Sequence, residues 1–133
     1  MSDPRASPDL VHFALAARLR AHAPFSHFQV GAAIEDENGL VFTGCNIENA
    51  SYGLTICAER VAVFKAISEG AAKIKRITVV ADTDVLTPPC GACRQILWEF
   101  CGDIEIVLAN LNGESEVMRI RALLPRAFDV SFL

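Results

Sequence analysis

Residues 74–81 read IKRITVVA, and this short run of apolar and β-branched side chains decides the fold. Apart from Lys75 and Arg76, its residues are apolar or β-branched, and this pattern predicts a buried strand. Residues 57–69 before it predict a helix that Gly70 ends, and residues 90–100 after it predict a second helix that Gly102 ends. A strand placed between two helices is typical of an α/β domain, in which helices pack on a sheet.

The rest of the sequence adds a first helix and more strands around this centre. Ser7, Pro8 and Asp9 predict the start of a helix that runs to about residue 21, because each favours a helix N-terminus. Residues 28–34 and 40–45 predict a hairpin around an Asn-Gly turn, and residues 104–109 predict another buried strand before a second Asn-Gly turn. We therefore expect one domain over residues 1–133, an α/β fold with a mixed sheet of about five strands between helices.

The amino-acid composition argues against a disordered chain and against a nucleic-acid-binding protein. The 133 residues are 52% apolar and 21% charged, with a formal net charge of −4. Disordered chains combine low hydrophobicity with high net charge, so this chain is expected to fold. Its lysines and arginines form no cluster along the sequence. Because nucleic-acid binders neutralise phosphates with clustered basic side chains, we expect no nucleic-acid partner.

The sequence also gives an expectation about location. Its longest apolar runs are far shorter than the roughly 20 residues that span a bilayer, and its start lacks the pattern of a signal peptide. We therefore expect a cytoplasmic protein with no membrane partner. In such a reducing compartment, clustered cysteines are more often metal ligands or catalytic groups than disulfides.

Three of the five cysteines are placed to meet in space. Cys57 opens one predicted helix, and Cys90 and Cys93 open the next. In a right-handed crossover, both helix starts emerge at the same edge of the sheet. Zn²⁺ is the natural occupant of such a cluster, because three protein ligands leave one position open for water in a catalytic zinc site. Cys45 is not excluded as a fourth ligand but ranks below water, whereas Cys101 lies roughly 16 Å along the helix from Cys90.

Two charged side chains accompany the first of these cysteines. Three thiolates outweigh the charge of Zn²⁺, so the site needs positive potential, which the two helix N-termini and Arg60 can supply. Glu59, two residues after Cys57, is the candidate general acid and base. A lone Cys-x-x-Cys is also found in redox pairs and among paired core cysteines, and a lone Glu is usually a solvated helix residue. A closed, structural zinc site with four protein ligands is a further alternative.

The combined pattern of Cys-Ala-Glu followed by Pro-Cys-x-x-Cys is typical of zinc-dependent nucleobase deaminases. Along nearly its whole length, the sequence resembles the short, homotetrameric cytidine deaminases, most clearly over residues 23–32, 44–50, 56–60, 89–95 and 123–128. The resemblance implies a three-layer α/β/α sandwich, with one Zn²⁺ per subunit held by Cys57, Cys90 and Cys93. It also implies zinc-dependent hydrolytic deamination of cytidine and 2′-deoxycytidine in pyrimidine salvage, with Glu59 as the proton carrier.

The resemblance assigns substrate contacts as well. Phe28 matches a ring that packs on the pyrimidine, Asn46 and Glu48 match a ribose-binding pair, and the backbone N–H of Ala58 would meet the base carbonyl. Phe128 matches an aromatic side chain that closes the pocket of a neighbouring subunit in a homotetramer.

The sequence departs from the family pattern at three positions near the expected pocket. Phe25 and His27 stand where the family often has Tyr and Lys, and Pro88 stands where Ser is common. A deaminase of a modified aminopyrimidine nucleoside therefore stays open as an alternative. A polynucleotide-editing deaminase needs a basic channel, against which the net charge of −4 argues.

Overall fold

A five-stranded mixed sheet forms the middle of the computed structural model, which describes residues 2–133. The strands in chain order are β1 (Val30–Asp36), β2 (Val41–Cys45), β3 (Ile74–Ala81), β4 (Glu105–Ala109) and β5 (Ser115–Arg119). Their order in the sheet is β2-β1-β3-β4-β5. Strands β3 and β4 are parallel, and the other neighbouring pairs are antiparallel. The predicted mixed sheet is confirmed.

Helices cover both faces of the sheet, which confirms the predicted three layers. The helices are α1 (Pro8–Arg18), α2 (Ala58–Ser68), α3 (Gly91–Cys101) and the short α4 (Ile120–Leu123). Leu10 and Ala14 of α1 pack with Ala33 of β1 on one face. On the other face, Ala62 of α2 and Leu97 of α3 belong to the larger core cluster. Within residues 2–133, no helix is long and apolar enough to cross a membrane.

Some predicted boundaries were wrong by two or three residues. Helix α1 ends at Arg18 instead of about residue 21, and β1 begins at Val30 instead of residue 28. The backbone of residues 23–29 leaves the regular elements here, with His27 at a positive φ of 58°. Phe28 therefore belongs to the loop that leads into β1.

The directions of the strands place the starts of α2 and α3 at one edge of the sheet. Strands β2 and β3 are both antiparallel to β1, so they point the same way and their carboxyl ends share an edge. Helix α2 follows β2 and helix α3 follows β3. Both helices therefore begin at that shared edge, as the sequence predicts.

Two glycines allow the helices to lie unusually close to the sheet. A Cβ on Gly44 of β2 would lie 2.5 Å from the carbonyl oxygen of Ala58 and 2.5 Å from the backbone nitrogen of Ala62, both in α2. A Cβ on Gly31 of β1 would lie 2.0 Å from the carbonyl oxygen of Ala14 in α1. Only glycine permits these approaches, so the first turn of α2 is held directly against β2.

Candidate metal centre

The sulfur atoms of Cys57, Cys90 and Cys93 converge at the shared edge of the sheet. Cys57 is the N-cap of α2, Cys90 is the N-cap of α3, and Cys93 lies in the first turn of α3. Their three sulfur atoms lie within 4.8 Å of one another, and those of Cys57 and Cys90 are 3.9 Å apart. Among residues 2–133, this is the one group of three His, Cys, Asp or Glu side chains placed to share a metal ion.

The geometry of the three sulfurs fits zinc. Tetrahedral Zn²⁺ binds thiolates at about 2.3 Å, which requires sulfur atoms about 3.8 Å apart. The Cys57–Cys90 separation of 3.9 Å matches this requirement. Cys57 is half-buried, Cys90 is exposed and Cys93 is buried, so the cluster lies at the surface end of the core.

The two other cysteines lie away from the cluster. Cys45 is paired with Gly31 in the sheet, and Gly31 faces α1. Because neighbouring residues of a strand face opposite sides, Gly44 faces α2 and Cys45 faces the α1 side. Cys101 ends α3 inside the main core, where burial raises its pKa to about 12. The prediction that Cys101 lies outside the cluster is confirmed.

Hydrogen bonds concentrate negative charge on the sulfur of Cys57. The thiol of Cys93 donates to it, and this bond lowers the pKa of Cys57 to about 5 against the opposing effect of burial. Nη2 of Arg60 lies 3.4 Å from the same sulfur and lowers the pKa further. The pKa of Cys93 is raised, because its proton is held in the bond to Cys57. Arg60 thus contacts a candidate ligand, as its position three residues after Cys57 predicts.

Glu59 is buried beside the cluster, with 5% of its surface exposed. Burial raises its pKa to about 7, and the nearby negative charge of Cys57 contributes to the increase. The sequence predicts an ionised carboxylate beside a cation and a helix start, whereas burial of Glu59 opposes that ionisation. A carboxyl group with a pKa near neutrality can both accept and donate a proton.

A cavity of about 200 Å³ opens in front of these residues. Three of the predicted substrate contacts line it together with Glu59: Phe28, Asn46 and Ala58. Its remaining lining residues are Val30, Cys57, Val79, Thr87, Pro88 and Cys90. Thr87 and the two valines were not predicted. Thr87 could have been found from its place directly before the Pro-Pro-Cys stretch, whereas the valines carry no signal beyond that of buried strand residues.

Asn46 holds the loop that carries Phe28. Its Nδ2 donates to the carbonyl oxygen of Phe28 at 2.7 Å, and its Oδ1 accepts from the N–H of Val30 at 2.8 Å. A side-chain amide has two N–H donors and two acceptor lone pairs. Asn46 therefore keeps one donor and one lone pair for a ligand in the cavity.

Glu48 and Phe128 do not line this cavity. One carboxylate oxygen of Glu48 accepts from the N–H groups of Phe25 at 2.9 Å and Ser26 at 3.2 Å, and the other accepts from the Ser26 hydroxyl. The Ser26 hydroxyl and these N–H groups lower the pKa of Glu48 although its partial burial opposes the shift. Phe128 is 59% exposed and stacks on Phe132 in the C-terminal segment.

Comparison with known proteins agrees with this geometry. The family described as "Cytidine and deoxycytidylate deaminase zinc-binding region" matches residues 5–109. The cytidine deaminase of Halalkalibacterium halodurans is 52% identical over 120 residues, which cover 90% of this chain and 91% of that protein. The cytidine deaminase of Sporosarcina psychrophila is 50% identical over 84% of this chain and 83% of its own length.

A solved structure extends the similarity to three dimensions. The crystal structure of cytidine deaminase from Burkholderia pseudomallei superposes with a TM-score of 0.89 at 46% identity, covering 92% of this chain and 99% of that chain. The solved structure is thus named a cytidine deaminase, as are the two sequence relatives. The chain belongs to the family of zinc-binding cytidine and deoxycytidylate deaminases.

Proposed function

We propose that this protein catalyses the hydrolytic deamination of cytidine and 2′-deoxycytidine to uridine and 2′-deoxyuridine with release of ammonia. The observation that carries the proposal is the position of Glu59, a buried carboxyl group in the same 200 Å³ cavity as two of the three clustered cysteines. The high identity to proteins named cytidine deaminase supports it.

Cys57, Cys90 and Cys93 would hold the zinc ion, which when bound supplies Lewis-acid activation of a water molecule. Glu59 accepts a proton from the attacking water and delivers it to ring N3, which makes C4 more electrophilic. A C4–O bond then forms. Glu59 carries the second proton to the amino group, the C4–N bond breaks, and ammonia leaves. The reaction consumes one water and balances without a further reactant.

The remaining side chains orient the substrate. The ring of Phe28 packs on the pyrimidine face, and the backbone N–H of Ala58 donates to the base carbonyl. The free donor and lone pair of Asn46, with the carboxylate of Glu48, suit the hydroxyls of a ribose. Arg60 tempers the charge of the thiolates through its contact with Cys57.

The proposal includes a homotetramer in which Phe128 closes the pocket of a neighbouring subunit. The large exposed surface of Phe128, which does not line the cavity of its own chain, supports this assignment. We also propose one domain over residues 1–133, because a single sheet and its helix layers run through the chain. A cytoplasmic role in pyrimidine salvage suits five free cysteines, which a reducing compartment keeps available for metal.

Ultraviolet spectroscopy of the purified protein tests the reaction. We expect the absorbance of cytidine and 2′-deoxycytidine to change as the amino group is lost. Cytosine should react poorly because it lacks the ribose that Asn46 and Glu48 would bind. Cytidine monophosphate should also react poorly, because no Lys or Arg is among the residues that line the cavity.

Zinc content is measured on the same samples. We expect one zinc per chain, loss of turnover on chelation and recovery when zinc is added back. A zinc-loaded protein that deaminates neither cytidine nor a modified aminopyrimidine nucleoside would instead be a structural zinc protein, and the proposed function would be wrong. If the protein deaminates a modified aminopyrimidine nucleoside and not cytidine, the alternative from the sequence analysis, a deaminase of such nucleosides, would be supported.

A further inference from the structure

Arg94 lies directly after Cys93 in the first turn of α3, but its side chain turns away from the sulfurs. Nε donates to the carbonyl oxygen of Pro89 at 2.8 Å, and Nη1 donates to the carbonyl oxygen of Leu123 at 2.9 Å. The side chain is half-buried. One guanidinium group thus joins two backbone segments that are far apart in sequence.

The first of these segments leads into the metal centre. Pro88 lines the cavity, and Pro89 is fully buried directly before the N-cap Cys90. Proline has no backbone N–H, so hydrogen bonds can fix this dipeptide only through its two carbonyl oxygens. The bond from Arg94 to the Pro89 carbonyl therefore sets the path of the backbone immediately before Cys90.

The second segment is the C-terminal one that carries Phe128. It begins after Leu123, the last residue of α4, whose carbonyl accepts from Arg94. Two more side chains of α3 hold it: Nε2 of Gln95 donates to the carbonyl oxygen of Phe128 at 2.8 Å, and Nε1 of Trp98 donates to Asp129 at 2.9 Å. Helix α3 therefore serves both as a source of cysteine ligands and as the platform for residues 124–133.

We propose that Arg94 is a positioning residue that fixes the Pro88–Pro89 backbone before Cys90 and, through the same guanidinium, locates the C-terminal segment relative to the metal centre. The planar fork of a guanidinium can serve two acceptors in fixed directions, which a lysine ammonium on its flexible stem does not reproduce. The inference rests on the proposed function only where it concerns turnover; its main predictions concern zinc retention and the docking of the C-terminal segment.

The test compares Arg94→Met with Asp129→Ala. Asp129→Ala removes the acceptor of the Trp98 N–H and loosens the C-terminal segment without touching Pro89. Four quantities are measured on zinc-loaded protein: the rate of zinc release to a chelator, the fluorescence of Trp98, and kcat and KM for cytidine. Trp98 is the one tryptophan in the sequence, so the emission reports the surroundings of this α3 side chain, which include Asp129 of the C-terminal segment and Arg121 of α4.

We expect Arg94→Met to release zinc about tenfold faster, since groups that orient metal ligands typically contribute factors of 10–100 to metal affinity. It should also change the Trp98 emission, lower kcat and raise KM. Asp129→Ala should change the emission and raise KM while zinc release stays at the rate of the unsubstituted protein. This difference in zinc release between the two variants distinguishes a positioning role of Arg94, at the Pro89 backbone and at the C-terminal segment, from a general loss of stability.

Two results would overturn the proposal: zinc release from folded Arg94→Met at the unsubstituted rate, or Trp98 emission that the substitution leaves unchanged. If Arg94→Met does not fold, Arg94→Lys keeps the charge and should show the same two changes in smaller size; behaviour identical to the unsubstituted protein would again overturn it. Zinc release and emission do not depend on turnover. A protein that fails to deaminate cytidine would therefore refute the proposed function without deciding the role of Arg94.

Discussion

The starts of α2 and α3 are built alike and do different work. Each has a cysteine at the N-cap, Cys57 or Cys90, and each has an arginine within the next four residues. Arg60 donates to a sulfur, whereas Arg94 donates to two backbone carbonyls. The same kind of side chain thus adjusts charge at one helix start and fixes the backbone at the other.

The second helical position differs more sharply. In α2 it is Glu59, which is buried in the cavity, and in α3 it is Ala92, which is exposed. The proposed proton carrier therefore belongs to α2 alone, while α3 contributes two of the three sulfurs and holds the C-terminal segment. The proposed proton transfer is therefore located at the start of α2, whereas the start of α3 positions the surrounding backbone.

The largest expected effect removes the proton carrier from the start of α2. Glu59→Gln keeps the size and shape of the side chain, but an NH₂ group replaces one carboxylate oxygen, so the side chain cannot accept the proton of water. We expect kcat/KM for cytidine to fall by a factor of about 10²–10⁴, the usual contribution of general acid–base catalysis, with zinc content unchanged. Ala92→Ser, the matched change at the start of α3, should leave both quantities nearly unaltered. Retained turnover in Glu59→Gln would refute the assignment.

The next largest effect concerns charge at the sulfurs. Zinc binds thiolates, so protons compete with the metal as the pH falls. Arg60 stabilises the thiolate of Cys57 and lowers its pKa, so Arg60→Gln should raise that pKa. We therefore expect the midpoint pH of zinc loss to move upward, and zinc affinity at neutral pH to fall by a factor of about 10–100.

A pH titration of bound zinc, with a colorimetric chelator as the readout, measures this shift. Arg94→Gln is the control: because Arg94 contacts carbonyls and no sulfur, its substitution leaves the pKa of Cys57 in place and should move the pH midpoint less than Arg60→Gln does. If Arg60→Gln leaves both zinc affinity and turnover unchanged, Arg60 does not temper the thiolate charge.

The comparison also shows which parts of the site could be predicted from sequence. The convergence of Cys57 with Cys90 and Cys93 follows from local signals, because N-caps, strand length and crossover direction together fix where two helices begin. The role of Arg94 could not be found this way. Its acceptors are backbone carbonyls, one of them 29 positions away, and backbone acceptors leave no mark in a sequence.

Other parts of the site depend on contacts that the local pattern does not contain. Glu48 is expected to face a ribose, yet its carboxylate is hydrogen-bonded to the loop at residues 25–26. Cys45 could not be excluded from the metal centre until the pairing of β1 with β2 showed which face of the sheet it occupies. In both cases the missing information is tertiary: a loop conformation and a strand register.

The smallest expected effects come from glycine-to-alanine substitutions, which test how tightly the starts of α2 and α3 are packed. A Cβ at Gly44 would lie 2.5 Å from backbone atoms of α2, whereas a Cβ at Gly91, the first residue of α3, would meet nothing within 4 Å. Gly44→Ala should therefore lower the free energy of unfolding by about 2 kcal/mol, as overpacking typically does, and lower kcat by shifting Cys57 and Glu59. Gly91→Ala should raise the free energy of unfolding by about 0.5 kcal/mol, because alanine restricts the unfolded chain and there is room for its Cβ at this position.

Urea denaturation of the zinc-loaded proteins measures both free energies, with kcat recorded in parallel. The opposite signs are the informative result, since two glycine-to-alanine changes at neighbouring parts of one site would otherwise be expected to act alike. Equal and small effects would mean that the start of α2 can move away from β2 at little cost. In that case the close approach at Gly44 would not be what holds Glu59 in place, and the loop before α2 would have to supply that restraint.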